Sequence, residues 1–223
     1  MVLELLSFAG NTHALQSLII AAYNRVEIAM PEFEMGKDNK TPAFLAMSPM
    51  GKVPVLKTAE GAISEAAAIA RYVARMRPDT NMYGASFYEA GLVDQWIEFA
   101  KNELDLPVGM WIYPILGFIQ SNASNTEKAK EDVKRALAVL NAHLLKKTFL
   151  ASEAITAADG ARTHTLFFYF LFHSSVPPSL LLTPPFSPLL SSRSRRLLLA
   201  AQRLQARLRR ALPRALPVRR PLV

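Results

Sequence analysis

Cysteine is missing from this chain of 223 residues, and histidine is scarce, with only four copies. The missing thiols exclude disulfides, thiolate metal sites and a cysteine nucleophile, and they fit a reducing compartment. The four histidines are scattered without the spacing of a zinc site. No stretch of 18 apolar residues is free of proline and charge, and no basic region precedes the apolar N-terminus. We therefore expect a cytoplasmic protein without a metal ion, a signal peptide or a membrane span.

Acidic residues and lysines are absent from the last 64 positions. All 18 acidic residues precede Gly160, together with 15 of the 26 lysines and arginines, so residues 1–159 carry a net charge of −3. Residues 160–223 hold the other 11 basic residues, all arginine, and carry a net charge of +11. Such a sharp asymmetry indicates either a basic tail or a segment of separate origin.

Residues 160–223 have an unusual composition. Residues 166–192 are rich in Phe, Leu, Ser and Pro, which share pyrimidine-rich codons, and the rest resembles GC-rich sequence read out of frame. We interpret this segment as an aberrant or disordered Pro/Leu/Arg-rich tail from a retained intron and a shifted frame. The alternative is a genuine tail in which Arg203–Leu212 forms a cationic amphipathic helix that binds anionic lipid or RNA.

The first 77 residues have the pattern of a small α/β domain. Their alternation of strand and helix predicts a βαβ unit with parallel strands. The apolar runs predict four strands, at Val2–Phe8, Val26–Met30, Gly51–Leu56 and Ala62–Ser64. They also predict three helices: one capped by Thr12, one that begins at Thr41-Pro42, and one over Glu65–Met76. The last of these helices has Ala66, Ile69, Val73 and Met76 on one face.

A linker over Arg77–Ser86 separates this part from an all-helical one. One apolar stripe is formed by Leu92, Trp96 and Phe99, and a second by Val133, Leu137, Leu140 and Leu144. Thr156 and Asp159 have the spacing of a capping box at the start of a further helix. If that helix is cut short after Asp159, we expect the helical domain to be marginally stable or prone to aggregation.

Several segments resemble known families. Three segments resemble the glutathione-binding half of cytosolic glutathione transferases: Asn39–Leu45, Ser48–Leu56 and Glu60–Val73. Four segments resemble the gamma chains of the translation elongation factor one complex: Asn39–Leu45, Gly51–Leu56, Trp96–Phe99 and Lys128–Leu144. The resemblance extends from about Val2 to Asp159. It implies a thioredoxin-like glutathione-binding domain at 1–77, a truncated helical domain of glutathione-transferase type at 87–159, and the aberrant tail at 160–223.

The resemblance also implies a glutathione site. In the family a cis peptide precedes the residue matching Pro54, and it turns the backbone of Val53, next to Lys52, towards the cysteinyl part of glutathione. The alternative is an ordinary trans proline at the start of an edge strand. Glu65 and Ala66 match the helix start that holds the γ-glutamyl group, although the family usually has Ser or Thr where this chain has Ala66. Glu65 could instead only complement the helix dipole.

A hydroxyl after the first strand stabilises the glutathione thiolate in transferases of this type. Ser7 is the matching candidate catalytic residue, and Asn11 and Thr12 follow it in the loop. The alternative is that Ser7 is only a turn residue.

The resemblance implies two functions. The first is a gamma-type elongation factor subunit that serves as a scaffold for the guanine-nucleotide-exchange subunit. The second is a glutathione transferase, with weak or vestigial activity, that conjugates glutathione to electrophiles. A homodimer is a further candidate assembly. We expect no direct contact of residues 1–159 with nucleic acid.

Overall fold

A four-stranded mixed sheet organises the N-terminal part of the residues that the computed structural model describes, which are 3–115 and 117–161. The strands are β1 (Leu3–Leu6), β2 (Ile28–Ala29), β3 (Val55–Lys57) and β4 (Ala62–Ser64), in the spatial order β2-β1-β3-β4. β1 and β2 are parallel, and β3 is antiparallel to both of its neighbours. The predicted βαβ unit is therefore confirmed, although each strand except β4 is shorter than its apolar run.

Three helices accompany the sheet: α1 (Thr12–Asn24), α2 (Pro42–Met47) and α3 (Ala66–Arg75). Short 3₁₀ turns occupy Asp38–Lys40 and Pro78–Thr80. Thr41 caps α2 and Pro42 is its first residue, as predicted. The prediction that Thr12 caps α1 is wrong by one residue, because the Asn11 side chain accepts the His13 N–H and Thr12 already lies in the helix.

Asn24 ties the ends of α1 and α3 together. Its side chain is fully buried, and Nδ2 donates to the carbonyls of Val73 at 2.7 Å and Ala74 at 3.1 Å. Its Oδ1 accepts a hydrogen bond from the Thr80 hydroxyl. One buried amide thus supplies hydrogen bonds to two carbonyls in the last turn of α3, where the helix leaves its carbonyls short of partners. Ile69 and Val73 of α3 are fully buried as predicted, whereas Met76, which follows the last turn, is 40% exposed, against the prediction.

The following part is all-helical, as predicted. A long helical rod comprises α4 (Phe87–Phe99), a π-helical segment (Ala100–Asp105) and α5 (Leu106–Ile115). It is followed by α6 (Ala123–Leu144) and α7 (Ala157–Ala161). Val108, Ile112 and Val133 form a core between α5 and α6. In the predicted stripes, Trp96, Val133, Leu140 and Leu144 are buried, and Leu92, Phe99 and Leu137 are half-buried.

α7 lies against α1 and has a well-defined beginning. Asp159 accepts from the Thr156 N–H at 3.0 Å and from the Thr156 hydroxyl at 3.2 Å, which confirms the pairing of the predicted capping box. Gly160 packs so closely on α1 that a Cβ there would lie 2.9 Å from Ile20 Cγ1. Gly160 and Ala161 are thus an ordered continuation of the helix. The remainder of the predicted aberrant tail, residues 162–223, lies outside the described residues.

An ionic network connects α3 with α4. Arg71 Nε donates to Asp94 at 2.5 Å, and Arg71 Nη2 donates to Glu98 at 2.6 Å. The Tyr83 hydroxyl also donates to Asp94, at 2.5 Å, and the Arg75 guanidinium lies 4.0 Å from the centre of the Tyr83 ring.

This network shifts the acidity of its members. Burial acts to raise the pKa of Asp94, but the hydrogen bonds from Tyr83 and Arg71 outweigh burial, and the pKa is lowered. Burial, followed by the hydrogen bond to Asp94, raises the pKa of Tyr83. Asp94 is thus ionised at neutral pH, which is the form that accepts the hydrogen bonds from Tyr83 and Arg71.

Candidate functional site

The predicted site residues gather at one edge of the sheet. In the register, Leu6 of β1 pairs with Val55 of β3, and Val55 also pairs with Ser64 of β4. Ser7, Pro54 and Glu65 are the next residues beyond this row on their three strands. The sheet thus places the candidate catalytic residue, the proline turn and the start of α3 side by side, although they are far apart in the sequence.

The turn before β3 has the backbone conformation that the family resemblance implies. The Val53-Pro54 peptide bond is cis. Pro54 is buried, Val53 is half-buried and the Lys52 side chain is exposed. Val53 precedes β3, and its N–H and C=O are the groups that an extended ligand would pair with in the manner of an added strand.

The loop that leads into this turn is held by side chains. Ser48 Oγ donates to the Lys52 carbonyl at 2.9 Å, and the Gly51 N–H donates to the Ser48 carbonyl at 2.8 Å. Asn39 Nδ2 donates to the Gly51 carbonyl at 2.9 Å. The roles of Asn39 and Ser48 are not apparent from the sequence, because these bonds cross a loop whose path local patterns do not reveal.

Glu65 and Ala66 form the start of α3. Glu65 has φ 70° and ψ 116°, in a region that favours glycine and costs another residue on the order of 1–3 kcal/mol. Its side chain is exposed and does not cap the helix. The first N–H groups of α3 have no partner within the helix and favour an anion. Strain retained at a helix start beside an exposed carboxylate is typical of a ligand site, where Glu65 can meet an ammonium group.

The hydroxyls near the end of β1 are buried. Ser7 is 2% exposed, and its Oγ accepts a hydrogen bond from Asn11 Nδ2 at 2.9 Å. Its own proton is therefore the part that could be donated to a thiolate. Thr12 is buried as well, and among the described residues its Oγ1 has no hydrogen-bond partner. The structure thus holds a second candidate hydroxyl at the start of α1, which the sequence analysis noted only as following Ser7.

The described part of the chain contains neither a cluster of metal ligands nor a membrane-spanning helix. Within residues 3–115 and 117–161, no three His, Asp or Glu side chains converge as metal ligands would. Over the same residues, no helix combines the length and apolarity needed to cross a bilayer.

Comparison with known families agrees with this geometry. The family model described as glutathione S-transferase, N-terminal domain, matches residues 1–75, and the model of the C-terminal domain matches residues 99–187. The second match extends beyond Asp159, where the resemblance that we recognised in the sequence ends. The two matched regions thus have the fold of glutathione S-transferases, with a thioredoxin-like N-terminal domain and a helical C-terminal domain.

Several curated proteins that are similar to this chain are elongation factor 1-gamma chains. The chain is 42% identical over 171 residues to elongation factor 1-gamma 1 of Oryza sativa subsp. japonica, which covers 76% of this chain and 41% of the relative. It is 45% identical over 160 residues to probable elongation factor 1-gamma 1 of Arabidopsis thaliana, covering 71% and 39%. The chain therefore spans about two fifths of the length of these relatives.

Solved structures of low identity share the fold. Glutathione S-transferase I from maize, in complex with an atrazine glutathione conjugate, superposes with a TM-score of 0.70 at 21% identity, covering 83% of this chain and 88% of that one. A glutathione S-transferase domain-containing protein from Marinobacter aquaeolei VT8 gives a TM-score of 0.69 at 23% identity, covering 84% and 100%.

Proposed function

We propose that this chain is the glutathione-transferase-like part of a gamma-type elongation factor 1 subunit and that it serves as a scaffold for the guanine-nucleotide-exchange subunit. The observation that carries the proposal is the difference in similarity. Identity is 42–45% to the elongation factor 1-gamma relatives, and 21–23% to the maize and Marinobacter proteins that share the fold. A cytoplasmic location follows from a role in translation.

One feature of the site supports a binding role over catalysis. Ala66 lacks the hydroxyl that transferases usually offer at the start of α3. Large apolar side chains at Met110, Ile115 and Phe118 are exposed, as is common on surfaces that contact other proteins.

The scaffold proposal is tested with purified proteins. The immobilised chain is incubated with the recombinant exchange subunit of the elongation factor 1 complex, and maize glutathione S-transferase I serves as the control of the same fold. Retention by this chain and not by the control supports the proposal. Equal retention by both, or by neither, contradicts it.

A second candidate function is glutathione conjugation. It is favoured by the cis Val53-Pro54 bond and by the strained backbone of Glu65. It is also favoured by the position of Ser7 and the start of α3 at the same edge of the sheet. In this role the Val53 backbone would bind the cysteinyl part, Lys52 would lie beside it, and Glu65 with Ala66 would bind the γ-glutamyl group. Ser7 would donate a hydrogen bond to the thiolate and lower the pKa of the thiol.

The second function is tested by retention on glutathione resin and by turnover of a dinitrobenzene electrophile. Loss of turnover in Ser7→Ala, with binding to the resin retained, would support catalysis by Ser7. Thr12→Val, which removes the other buried hydroxyl, is the matched variant. Binding without turnover would contradict the conjugation function and show that glutathione is only a ligand of this chain. A homodimer, measured by light scattering, is compatible with both functions.

A further inference from the structure

The buried side chain of Asn39 makes two hydrogen bonds that fix the orientation of its amide. It is 8% exposed. Its Oδ1 accepts the Gly36 N–H at 2.7 Å, and its Nδ2 donates to the Gly51 carbonyl at 2.9 Å. A backbone N–H can only donate and a carbonyl can only accept, so only this orientation of the amide fits. Both ends of the amide are therefore engaged with backbone.

Gly51 shows how closely the two segments are joined. It has φ 61°, and a Cβ there would lie 3.1 Å from the backbone oxygen of Asn39. Gly51 is also bonded to the Ser48 carbonyl, and the next carbonyl, that of Lys52, accepts from Ser48 Oγ. The backbone that leads into Val53 is thus restrained by three hydrogen bonds. Only the one from Asn39 comes from outside the loop.

We propose that Asn39 is a positioning residue that holds the backbone of Gly51 and Lys52 so that Val53 presents its N–H and C=O to an extended, peptide-like ligand. The inference rests on the proposed glutathione site, because glutathione is the ligand that this edge would pair with. A preformed edge binds more tightly, since the loop does not have to be ordered when the ligand arrives. Asn39 acts on the ligand only through Gly51.

The variants are chosen to separate positioning from general stability. Asn39→Asp keeps the size of the side chain and the acceptor for Gly36, but replaces the donor to Gly51 by an acceptor. Asn39→Ala removes both bonds. The matched control is Thr58→Ala, which removes a turn-fixing hydroxyl bonded at 2.9 Å to the Gly61 carbonyl, at the opposite end of β3.

The experiment uses the full chain and three readouts: the dissociation constant for glutathione by calorimetry, the melting temperature, and hydrogen exchange of the Gly51, Lys52 and Val53 amides. We expect both Asn39 variants to weaken binding about tenfold, the equivalent of one lost buried hydrogen bond, and to exchange faster at these amides. Thr58→Ala should lower the melting temperature and leave both other readouts unchanged.

Different outcomes overturn the two proposals. If Asn39→Asp leaves affinity and exchange unchanged, or if Thr58→Ala weakens binding equally, Asn39 is not a positioning residue. If the unaltered chain does not bind glutathione, the proposed ligand is wrong, and exchange alone decides the role of Asn39. Faster exchange confined to Gly51, Lys52 and Val53 would then support positioning, and unchanged exchange would refute it.

Discussion

The Asp159 carboxylate accepts both the backbone N–H and the hydroxyl of Thr156, three residues earlier, and it also accepts the Leu150 N–H at 3.2 Å. Asp159→Ala leaves these buried donors without their acceptor. We expect the free energy of unfolding to fall by about 2–3 kcal/mol, measured by urea denaturation. Ser86→Ala, at the exposed cap of α4, is the comparison and should cost about 1 kcal/mol. Equal costs would show that the Asp159 contacts add nothing to an ordinary cap.

Gly160 and Gly91 are both helical glycines in different surroundings. A methyl group at Gly160 meets Ile20 Cγ1 at 2.9 Å, whereas one at Gly91 meets nothing within 4 Å. Gly160→Ala should therefore destabilise the protein by about 1–3 kcal/mol through overpacking. Gly91→Ala should stabilise it by about 0.5–1 kcal/mol through helix propensity. Thermal unfolding should show shifts of opposite sign, and a stabilising Gly160→Ala would contradict the packing of α7 on α1.

The ion pairs of Asp94 predict a dependence of stability on pH. Because the pKa of Asp94 is lowered in the folded state, its contribution is present above the ordinary value of 3.8 and is lost as the pH falls below it. The side chain is 42% exposed, so solvent screening limits the effect. Asp94→Asn should cost about 1 kcal/mol at neutral pH.

The measurement is urea unfolding of both proteins at neutral pH and at about pH 3. The difference between them should shrink in acid, because the stabilisation from the charged carboxylate is progressively lost as the pH falls below 3.8 towards the lowered pKa of the folded state. Glu60→Gln, on the exposed turn between β3 and β4, is the control and should show little difference at either pH. A constant difference for Asp94→Asn would show that its charge does not stabilise the fold.

Ala66 offers a gain-of-function test of the candidate site. Ala66→Ser places a hydroxyl at the first residue of α3, where it can donate to an anionic group. Glutathione should bind at least about tenfold more tightly, since a hydrogen bond to a charged group contributes about 1.5–3 kcal/mol. Ala67→Ser, also half-buried on the first turn, is the matched control for calorimetry. Equal gains at both positions would argue against a carboxylate at the start of α3.

Local pattern predicted the elements around the site well, for identifiable reasons. Apolar runs and turn residues locate the strands to within a few residues, and Thr41-Pro42 combines two strong helix-start signals. The prediction that Thr12 caps α1 was wrong because Asn11, one residue earlier, is of a type that caps helices equally well. The prediction that Met76 lies on the buried face of α3 was wrong because hydrophobic periodicity does not indicate where neighbouring elements stop covering a helix.

Contacts between distant segments could not be predicted in the same way. The bond of Asn39 to Gly51 and the bonds of Asn24 to the end of α3 depend on how loops and helices pass one another. Gly160 was assigned to the predicted tail because the family resemblance ends at Asp159, but in the structure its lack of a side chain leaves the space that Ile20 occupies. Such residues are recognised only once their neighbours are known.

The π-helical segment Ala100–Asp105 places a limit on how this chain can change in length. Its hydrogen bonds span five residues instead of four, so it accommodates extra chain without ending the rod. A deletion elsewhere in the rod would turn every later side chain by about 100°, and the face that now packs on α6 would rotate away from it. Loss of one residue from Ala100–Asp105 would instead convert this segment to ordinary α-helix and leave that face in place. Natural variation in the length of the rod should therefore be confined to this segment.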